Sequence, residues 1–467
     1  MQKNGYSFLT IKEASSMMAG TLLFEGLDNN ISSVSIDSRK ISKGALFFAL
    51  KGEKADGHSF IKNAVSGGAV CCVVEKNHSA LLEFSNDPGF SVIAVDDTLK
   101  ALQTLAKNYR SKFKNISIIG ITGSSGKTTT KELLAAILEK DAPTVMNEGN
   151  LNSETGLPLA VFNIRDNHKY GVFELGINHP GEMDVLVDIL RPDYAILTNI
   201  GTAHIGLMGS KEKIAQEKMK IFHTHNNFKE GIVYEKDDYA KIIKDKYSSK
   251  MDYFGLDSQK DYLSYEDNGL DGNIIFLGKE KIIFSLIGRH NLSNAAAAIK
   301  MARILNISDL KIKNGIEKVA SFFGRGEIFS GNITIIFDAY NSNKESVKAI
   351  VDFTSKLSWE GRKIILLGSI LEMGDKSEDI HNSIINYAFK NFDGALFFFG
   401  NEFEKSFKNM EKAEKFVFWS PDFEEMKDAL LAYLKEGDLI VLKGSRGMAL
   451  ERFLEIIKKN NRMVVNC

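Results

Sequence analysis

Residues 120–134, GITGSSGKTTTKELL, set a glycine turn between an apolar run and a helical pattern. The phosphate-binding pattern G-x-x-x-x-G-K-[ST] would place its first glycine where the chain has Ile121, so only a shorter form remains, Gly123-x-x-Gly126-Lys127-Thr128. Context outweighs that gap. SIIGIT before the turn predicts a buried strand, and TTTKELLAAILEK after it predicts a helix. In a strand–turn–helix setting, backbone N–H groups and the helix N-terminus face an anion. Lys127 then reaches the outer phosphates, and the Thr128 hydroxyl can hold Mg²⁺. Gly123, Ser124, Ser125, Gly126, Lys127, Thr128 and Thr129 form the predicted nucleotide cradle.

The 467 residues exceed what one core organises, so two or three domains are expected. Hydrophobic content of 44% and charged content of 25% are those of a soluble globular chain. A net charge of −1 argues against a general nucleic-acid binder. Cys71 and Cys72 adjoin inside an apolar run, where neighbours point to opposite faces, and Cys467 is terminal; buried thiols are expected rather than a bridge or metal site. The N-terminus lacks a basic-then-apolar leader, and no apolar run approaches the ~20 residues that span a bilayer. A cytoplasmic chain with no membrane span is the expectation.

Strands alternate with helices throughout. SVSIDSR, ALFFAL, AVCCVVE and FSVIAVDD mark a small α/β unit over residues 1–97. The stretch 98–324 carries the loop together with YGVFELG, DYAILTNIG, GIVYEK and the helix NLSNAAAAIKMARIL. Residues 325–467 hold ITIIFDAY, KIILLGS, GALFFFG, KFVFWS and DLIVLKGS. This predicts an α/β protein of three domains: a small N-terminal unit, a central parallel-sheet ATPase unit and a C-terminal Rossmann-like unit. Ligands in such sheets collect at the carboxyl ends of strands. There stand Glu174, Asn199 and, past a glycine loop, His204, with Asn150, Asn152 and Thr155 in the turn-rich GNLNSETG. A carboxylate and an imidazole near Thr128 suit a metal with hard oxygen ligands.

GSSGKTT, FELG, NIGTAH, GRHNLSNAAAA, GRGE and LKGSRG, in that order, resemble the Mur ligase family, ATP-dependent amide-forming enzymes of peptidoglycan precursor synthesis. The resemblance covers nearly the whole chain. DAYNSN at 338–343 and LGSILEMGDKSEDIH at 367–381 are most similar to the branch that adds D-alanyl-D-alanine to UDP-N-acetylmuramoyl-tripeptide. The branch adding the third amino acid is the alternative; a folate polyglutamate synthase, a nucleotide switch and a non-catalytic scaffold fit less well.

That resemblance implies roles at matched positions. Lys127, Glu174, His204 and Lys218 would be catalytic. Thr128, Glu174, His204 and a CO₂-carbamylated Lys218 would bind two Mg²⁺ ions. Asn199, His290, Asn291, Asn294, Arg325, Asp338, Tyr340 and Asn341 would line the ATP site. Asp37, Ser38, Arg39, Asp56 and His58 match a uridine-nucleotide module. Lys443, Ser445 and Arg446, where a strand turns into a helix, suit a carboxylate or phosphate. The enzyme is expected to act as a monomer. Lys344, Phe337, Ser369, Ser153 and Lys220 depart from the branch's usual residues, and Lys220 is expected to bring a positive charge near the carbamate.

Overall fold

The computed structural model describes residues 8–52, 55–78, 89–222, 227–247, 250–256, 263–321, 323–409 and 415–460, so the terminal Cys467 lies outside them. Three main sheets follow one another along the chain. The first, five-stranded, runs Thr21–Phe24, Ser91–Val95, Ala69–Glu75, Ala45–Phe48, Ser33–Ser35. Its first pair is antiparallel and the rest are parallel. Cys71 and Cys72 sit fully buried in the strand Ala69–Glu75 as free thiols.

The central sheet is wholly parallel, in the order Met251–Phe254, Glu230–Tyr234, Tyr194–Leu197, Ser117–Thr122, Tyr170–Glu174, Thr144–Met146. Ser117–Thr122 carries SIIGIT, whose residues after Ser117 are all buried, and lies in the interior. Successive strands first build to one side of it and then to the other, so the order reverses beside its carboxyl end. A crevice opens at such a reversal. Helices pack on both faces, which is why these strands read as near-continuous apolar runs.

A three-stranded antiparallel sheet, Leu263–Asp267, Asn273–Leu277 and Glu280–Phe284, was not expected from the strand–helix alternation. Its inward residues Ile275, Leu277, Ile282 and Phe284 join helices Lys127–Leu138 and Arg289–Ile304 in one core. The last sheet, six-stranded, opens with an antiparallel edge strand, Glu327–Phe329. Parallel strands Thr334–Asp338, Leu439–Lys443, Lys363–Gly368, Ala395–Phe399 and Val417–Ser420 follow in that spatial order.

Helix Thr98–Ser111 buries Leu102, Leu105 and Tyr109 in a core that contains both Leu46 of the first sheet and Ile118 of the second. The first two units are therefore packed together rather than merely tethered. Among the described residues, no helix is long and apolar enough to cross a membrane.

Candidate active site

The phosphate loop leaves the strand Ser117–Thr122 at Gly123 and enters helix Lys127–Leu138 through Gly126, whose φ is 80°. A Cβ on Gly123 would lie 1.8 Å from Thr198 Oγ1, and one on Gly126 2.2 Å from Asn294 Oδ1, so contact as well as backbone angle demands glycine. The exit loop of the neighbouring strand pins the turn. Thr198 Oγ1 donates to Ser125 O at 2.6 Å. Asn199 accepts Ser125 N–H on Oδ1 and donates from Nδ2 to Ser125 O, each at 3.0 Å. Ser124 Oγ accepts Gly201 N–H at 2.8 Å. Beneath the turn, Asn294 Nδ2 donates to Asn291 Oδ1 at 3.2 Å, and Asn291 Nδ2 to Ile287 O at 2.9 Å. Thr129 is buried behind it.

Thr128 is the junction of the charged groups. Its hydroxyl donates to Glu174 Oε2 at 2.7 Å and accepts from Arg325 Nη2 at 3.0 Å. Arg325 in turn lies 4.0 Å over the Tyr340 ring. Glu174 is buried, and Oε1 accepts Asn152 Nδ2–H at 2.7 Å. Lys127 Nζ and Lys218 Nζ both donate to Gly123 O, at 3.0 and 3.1 Å. Burial lowers the pKa of Lys127, against the pull of Glu174 and with a further push from Arg325. Lys218 is pushed well below the usual lysine range, first by burial and then by Lys127. A neutral amine in that position is a nucleophile. Glu174 and Thr128 offer hard oxygen donors that fit Mg²⁺; Lys218 fits the same cation only when an anionic oxygen, such as a carbamate, replaces its amine.

His204 has a left-handed backbone, φ 61°, and its Nδ1 lies 2.8 Å from Glu372 Oε2 of the C-terminal unit. Burial and Lys127 lower its pKa, while Glu372 opposes them. Two more C-terminal residues meet the loop region. Asn343 Nδ2 donates to Ser125 Oγ at 2.7 Å, and Glu345 Oε2 accepts from Thr202 N at 3.2 Å and Thr202 Oγ1 at 3.0 Å. Ser125, His204, Asn343 and Glu345 border a cavity of about 1410 Å³, which also takes in Asn150, Asn152, His290, Asp338, Tyr340 and Asn341. His290 is solvent-accessible at the cavity wall, yet the protein atoms packed round it desolvate the ring and lower its pKa, with Asp338 opposing and Lys443 adding to that effect. Lys443 is buried, pairs with Asp338 at 3.2 Å and donates to Asn341 O at 2.7 Å, so it braces the DAYNSN loop. Ser445 Oγ accepts Leu371 N–H at 3.0 Å, and Arg446 pairs with Glu451 at 3.2 Å. Ser445 and Arg446 share a smaller cleft of about 90 Å³ with His204, Asn341 and Glu372.

Other predicted residues stand outside this cavity. Thr155 faces Ser153, with 3.2 Å between their hydroxyl oxygens. In the first unit Asp37 forks the Arg39 guanidinium at 2.9 Å on both oxygens, which lowers its carboxyl pKa to about 2. Ser38 opens the short turn that Asp37 caps. Asp56, His58 and His78 bring possible ligand atoms within 4.8 Å of one another. His58, however, directs Nδ1 at Asp56 Oδ1 (2.6 Å) and accepts Glu75 N–H on Nε2 at 3.1 Å, so both ring nitrogens are committed and the group is a brace.

The expected positive charge of Lys220 is met by two carboxylates. Lys220 Nζ pairs with Asp184 at 2.6 Å and Glu217 at 2.8 Å, which neutralise it. Lys344 is the first residue of helix Lys344–Lys356, where a proline's missing N–H would cost little and a lysine's presence costs as little. Ser369 and Phe337 are buried in the C-terminal sheet region. Asn343, Glu345, Glu372 and Thr198 were not singled out from sequence. Asn343 lies inside the DAYNSN motif and Glu372 inside LEMGD, so the motifs carried the signal while the individual side chains did not.

A phosphate loop flanked by a buried carboxylate, with a third unit reaching into it, is the arrangement of an enzyme that works on a bound nucleotide. Residues 30–110, 121–302 and 324–446 match the models for "Mur ligase family, catalytic domain", "Mur ligase middle domain" and "Mur ligase, glutamate ligase domain". The chain belongs to the Mur ligase family of ATP-dependent ligases. Among its relatives, the UDP-N-acetylmuramoyl-tripeptide--D-alanyl-D-alanine ligase of Treponema pallidum is 35% identical, covering 91% of this chain and 94% of that protein. The ligase of the same name from Bacillus subtilis is 34% identical over 96% and 97%. A crystal structure of MurF from Acinetobacter baumannii superposes with a TM-score of 0.86 at 28% identity, covering 97% of this chain and 99% of that one. MurF ligase from Thermotoga maritima in complex with ADP gives 0.77 at 26% identity, over 91% and 97%.

Proposed function

We propose that this enzyme joins D-alanyl-D-alanine to UDP-N-acetylmuramoyl-tripeptide in peptidoglycan precursor synthesis, converting ATP to ADP and phosphate. The observation that carries the reading is the meeting of Lys127, Thr128, Glu174 and Arg325 on one glycine turn, in a chain similar over 91% of its length to a ligase named for that reaction. Buried free thiols at Cys71 and Cys72 suit a reducing cytoplasm.

The terminal carboxylate of the tripeptide attacks the γ-phosphorus, the bond to ADP breaks, and an acyl phosphate forms. Anion then meets anion, and Lys127, Arg325 and the N-terminus of helix Lys127–Leu138 offset that charge. The neutral amine of the dipeptide attacks the acyl carbon; the carbon–oxygen bond to phosphate breaks, and the proton lost from nitrogen ends on the released phosphate. Thr128, Glu174, His204 and a carbamate on Lys218 would hold two Mg²⁺ ions, which neutralise phosphate charge when bound. The amine of Lys218, depressed in pKa by burial, adds to CO₂ with loss of a proton, and the new carboxylate relieves its repulsion with Lys127. The contacts of Asn343, Glu345 and Glu372 hold the C-terminal unit against the loop, and closure there would shield the acyl phosphate from water.

The test is an assay of ADP release against amide formed, with the tripeptide nucleotide and single amino compounds. One ADP per amide, dependent on D-alanyl-D-alanine, is expected. Stimulation by lysine or diaminopimelate instead, on a dipeptide nucleotide, would move the enzyme to the branch adding the third residue.

A further inference from the structure

We propose that Glu372 is a positioning residue that fixes the tautomer of His204, so that docking of the C-terminal unit completes the ligand set of the central one. The proposal rests on the ligase reading above and gives Glu372 a role within it that the LEMGD motif alone did not show.

A neutral imidazole exists as two tautomers, and the partner of one nitrogen decides which lone pair the other presents. Glu372 Oε2 lies 2.8 Å from Nδ1 of His204, and a carboxylate can only accept, so the proton belongs on Nδ1. Nε2 keeps its lone pair, and no other described residue hydrogen-bonds that ring. It is the atom left to bind a cation or accept from a substrate, as outer carboxylates do for metal-bound histidines.

The contact is built into the backbone. His204 and Glu372 are both left-handed, at φ 61° and 66°, an angle uncommon for residues other than glycine. Gly206 N donates to Glu372 O at 3.2 Å, two residues beyond the histidine. A Cβ on Gly206 would fall 2.5 Å from Gly374 N and 2.6 Å from Glu372 O. The segments around His204 and Glu372 therefore dock main chain to main chain, and the carboxylate is delivered by that docking. Because 168 residues separate the pair, the tautomer is selected only when the two units meet.

The experiment uses the full chain with Glu372→Ala and Glu372→Gln, each checked by thermal melting. Histidine-labelled ¹⁵N spectra, taken where the ring is neutral and assigned with His204→Gln, report the tautomer without turnover. Wild type should show the Nδ1–H pattern, and Glu372→Gln should keep it through its amide oxygen. Glu372→Ala should shift toward Nε2–H and lose about 10–100-fold in kcat, the usual loss for outer-shell partners, with the KM for ATP changed less. Glu372→Gln should recover a large part of that kcat. An unchanged His204 tautomer in Glu372→Ala overturns the proposal, whether or not kcat falls. If the alanine protein does not fold, an Nε2–H pattern at His204 in the wild type overturns it equally, because a carboxylate at Nδ1 can only accept. A wild type lacking dipeptide-dependent ADP release would count against the ligase reading, while the tautomer spectra would still decide this one.

Discussion

Lys218 is 2% exposed, and its side-chain nitrogen shares the Gly123 carbonyl with Lys127, an arrangement two ammonium ions would resist. Its proton is the easier one to lose, and the amine is then free to take up CO₂. Lys218→Ala should lower kcat by about 10²-fold or more, the scale on which one preorganised electrostatic group acts. Lys218→Arg should be no better, because a guanidinium cannot form the carbamate. The chemical check is ¹³C-bicarbonate NMR: a carbamate resonance in wild type and none in either variant. Full activity in Lys218→Ala would remove the modification from the mechanism. Gly126→Ala tests the turn itself. The methyl would strike Asn294 at 2.2 Å and sit at φ 80°, so the KM for ATP should rise at least tenfold and the melting temperature should fall with it. The loop was legible in the sequence because all its determinants lie within a few residues: two glycines, a lysine and a threonine between strand and helix. Its partners were not. Asn343 lies 218 residues from Ser125 and Glu372 168 from His204, and no local spacing encodes such contacts.

At the scale of elements, helix Lys344–Lys356 links the DAYNSN loop to the phosphate site through its cap. Asn343 Oδ1 accepts Ser346 N–H at 2.8 Å as N-cap, while its Nδ2 reaches Ser125. Asn343→Ala removes both, so it should cost about 1 kcal/mol in the stability of that helix. It should also raise the KM for ATP, whereas Asn343→Ser, which can cap but not reach, should restore stability alone. Chemical denaturation beside ATP titration separates the two. A second element contact depends on pH. Asp141, just beyond helix Lys127–Leu138, accepts from Lys169 (2.7 Å), Lys311 (2.8 Å) and the Tyr170 hydroxyl (2.8 Å). Those bonds, Lys169 first, hold its carboxyl far below the carboxylate range. A folded pKa below the unfolded one gives stability that is present above the unfolded value, about 3.9 for aspartate, and lost as pH falls through the folded value. Asp141→Asn should therefore destabilise at pH 7, and its difference from wild type should shrink from about pH 4 downward. Denaturation midpoints at pH 7 and pH 3 measure this. The buried parallel strands were legible as apolar runs. The antiparallel sheet 263–284 was not: it is covered on one face, so Lys281 and the exposed Ile283 alternate with buried Ile282 and Phe284 and dilute the signal. The edge strand Thr21–Phe24, half exposed, was missed for the same reason.

Across the whole molecule, four polar side-chain contacts between the central and C-terminal units converge on one place. Arg325 meets Thr128, Asn343 meets Ser125, Glu345 meets Thr202 and Glu372 meets His204. Each ties a group near the phosphates to the far sheet, so closure and assembly of the site are one event. Three units could be read from the order of motifs, but their docking could not, because it rests on close approach of main chains. Gly206 isolates that step. It lies on the short helix Ile205–Met208 with ordinary backbone angles, so alanine is conformationally acceptable and the cost is steric, at Gly374 N, Glu372 O and Met373 C, all within 2.7 Å of the added carbon. Forced contacts of that kind typically cost about 1–3 kcal/mol, which shifts an open–closed equilibrium by about 5–150-fold. Gly206→Ala should thus lower kcat within that range, leave ATP affinity of the central unit nearly unchanged, and keep the melting temperature close to wild type. In small-angle scattering with nucleotide and acceptor peptide present, the variant should keep a larger radius of gyration than wild type under the same conditions. Equal radii with equal kcat would mean that the backbone approach at Gly206 and Gly374 does not control closure, and that the charged contacts carry it alone.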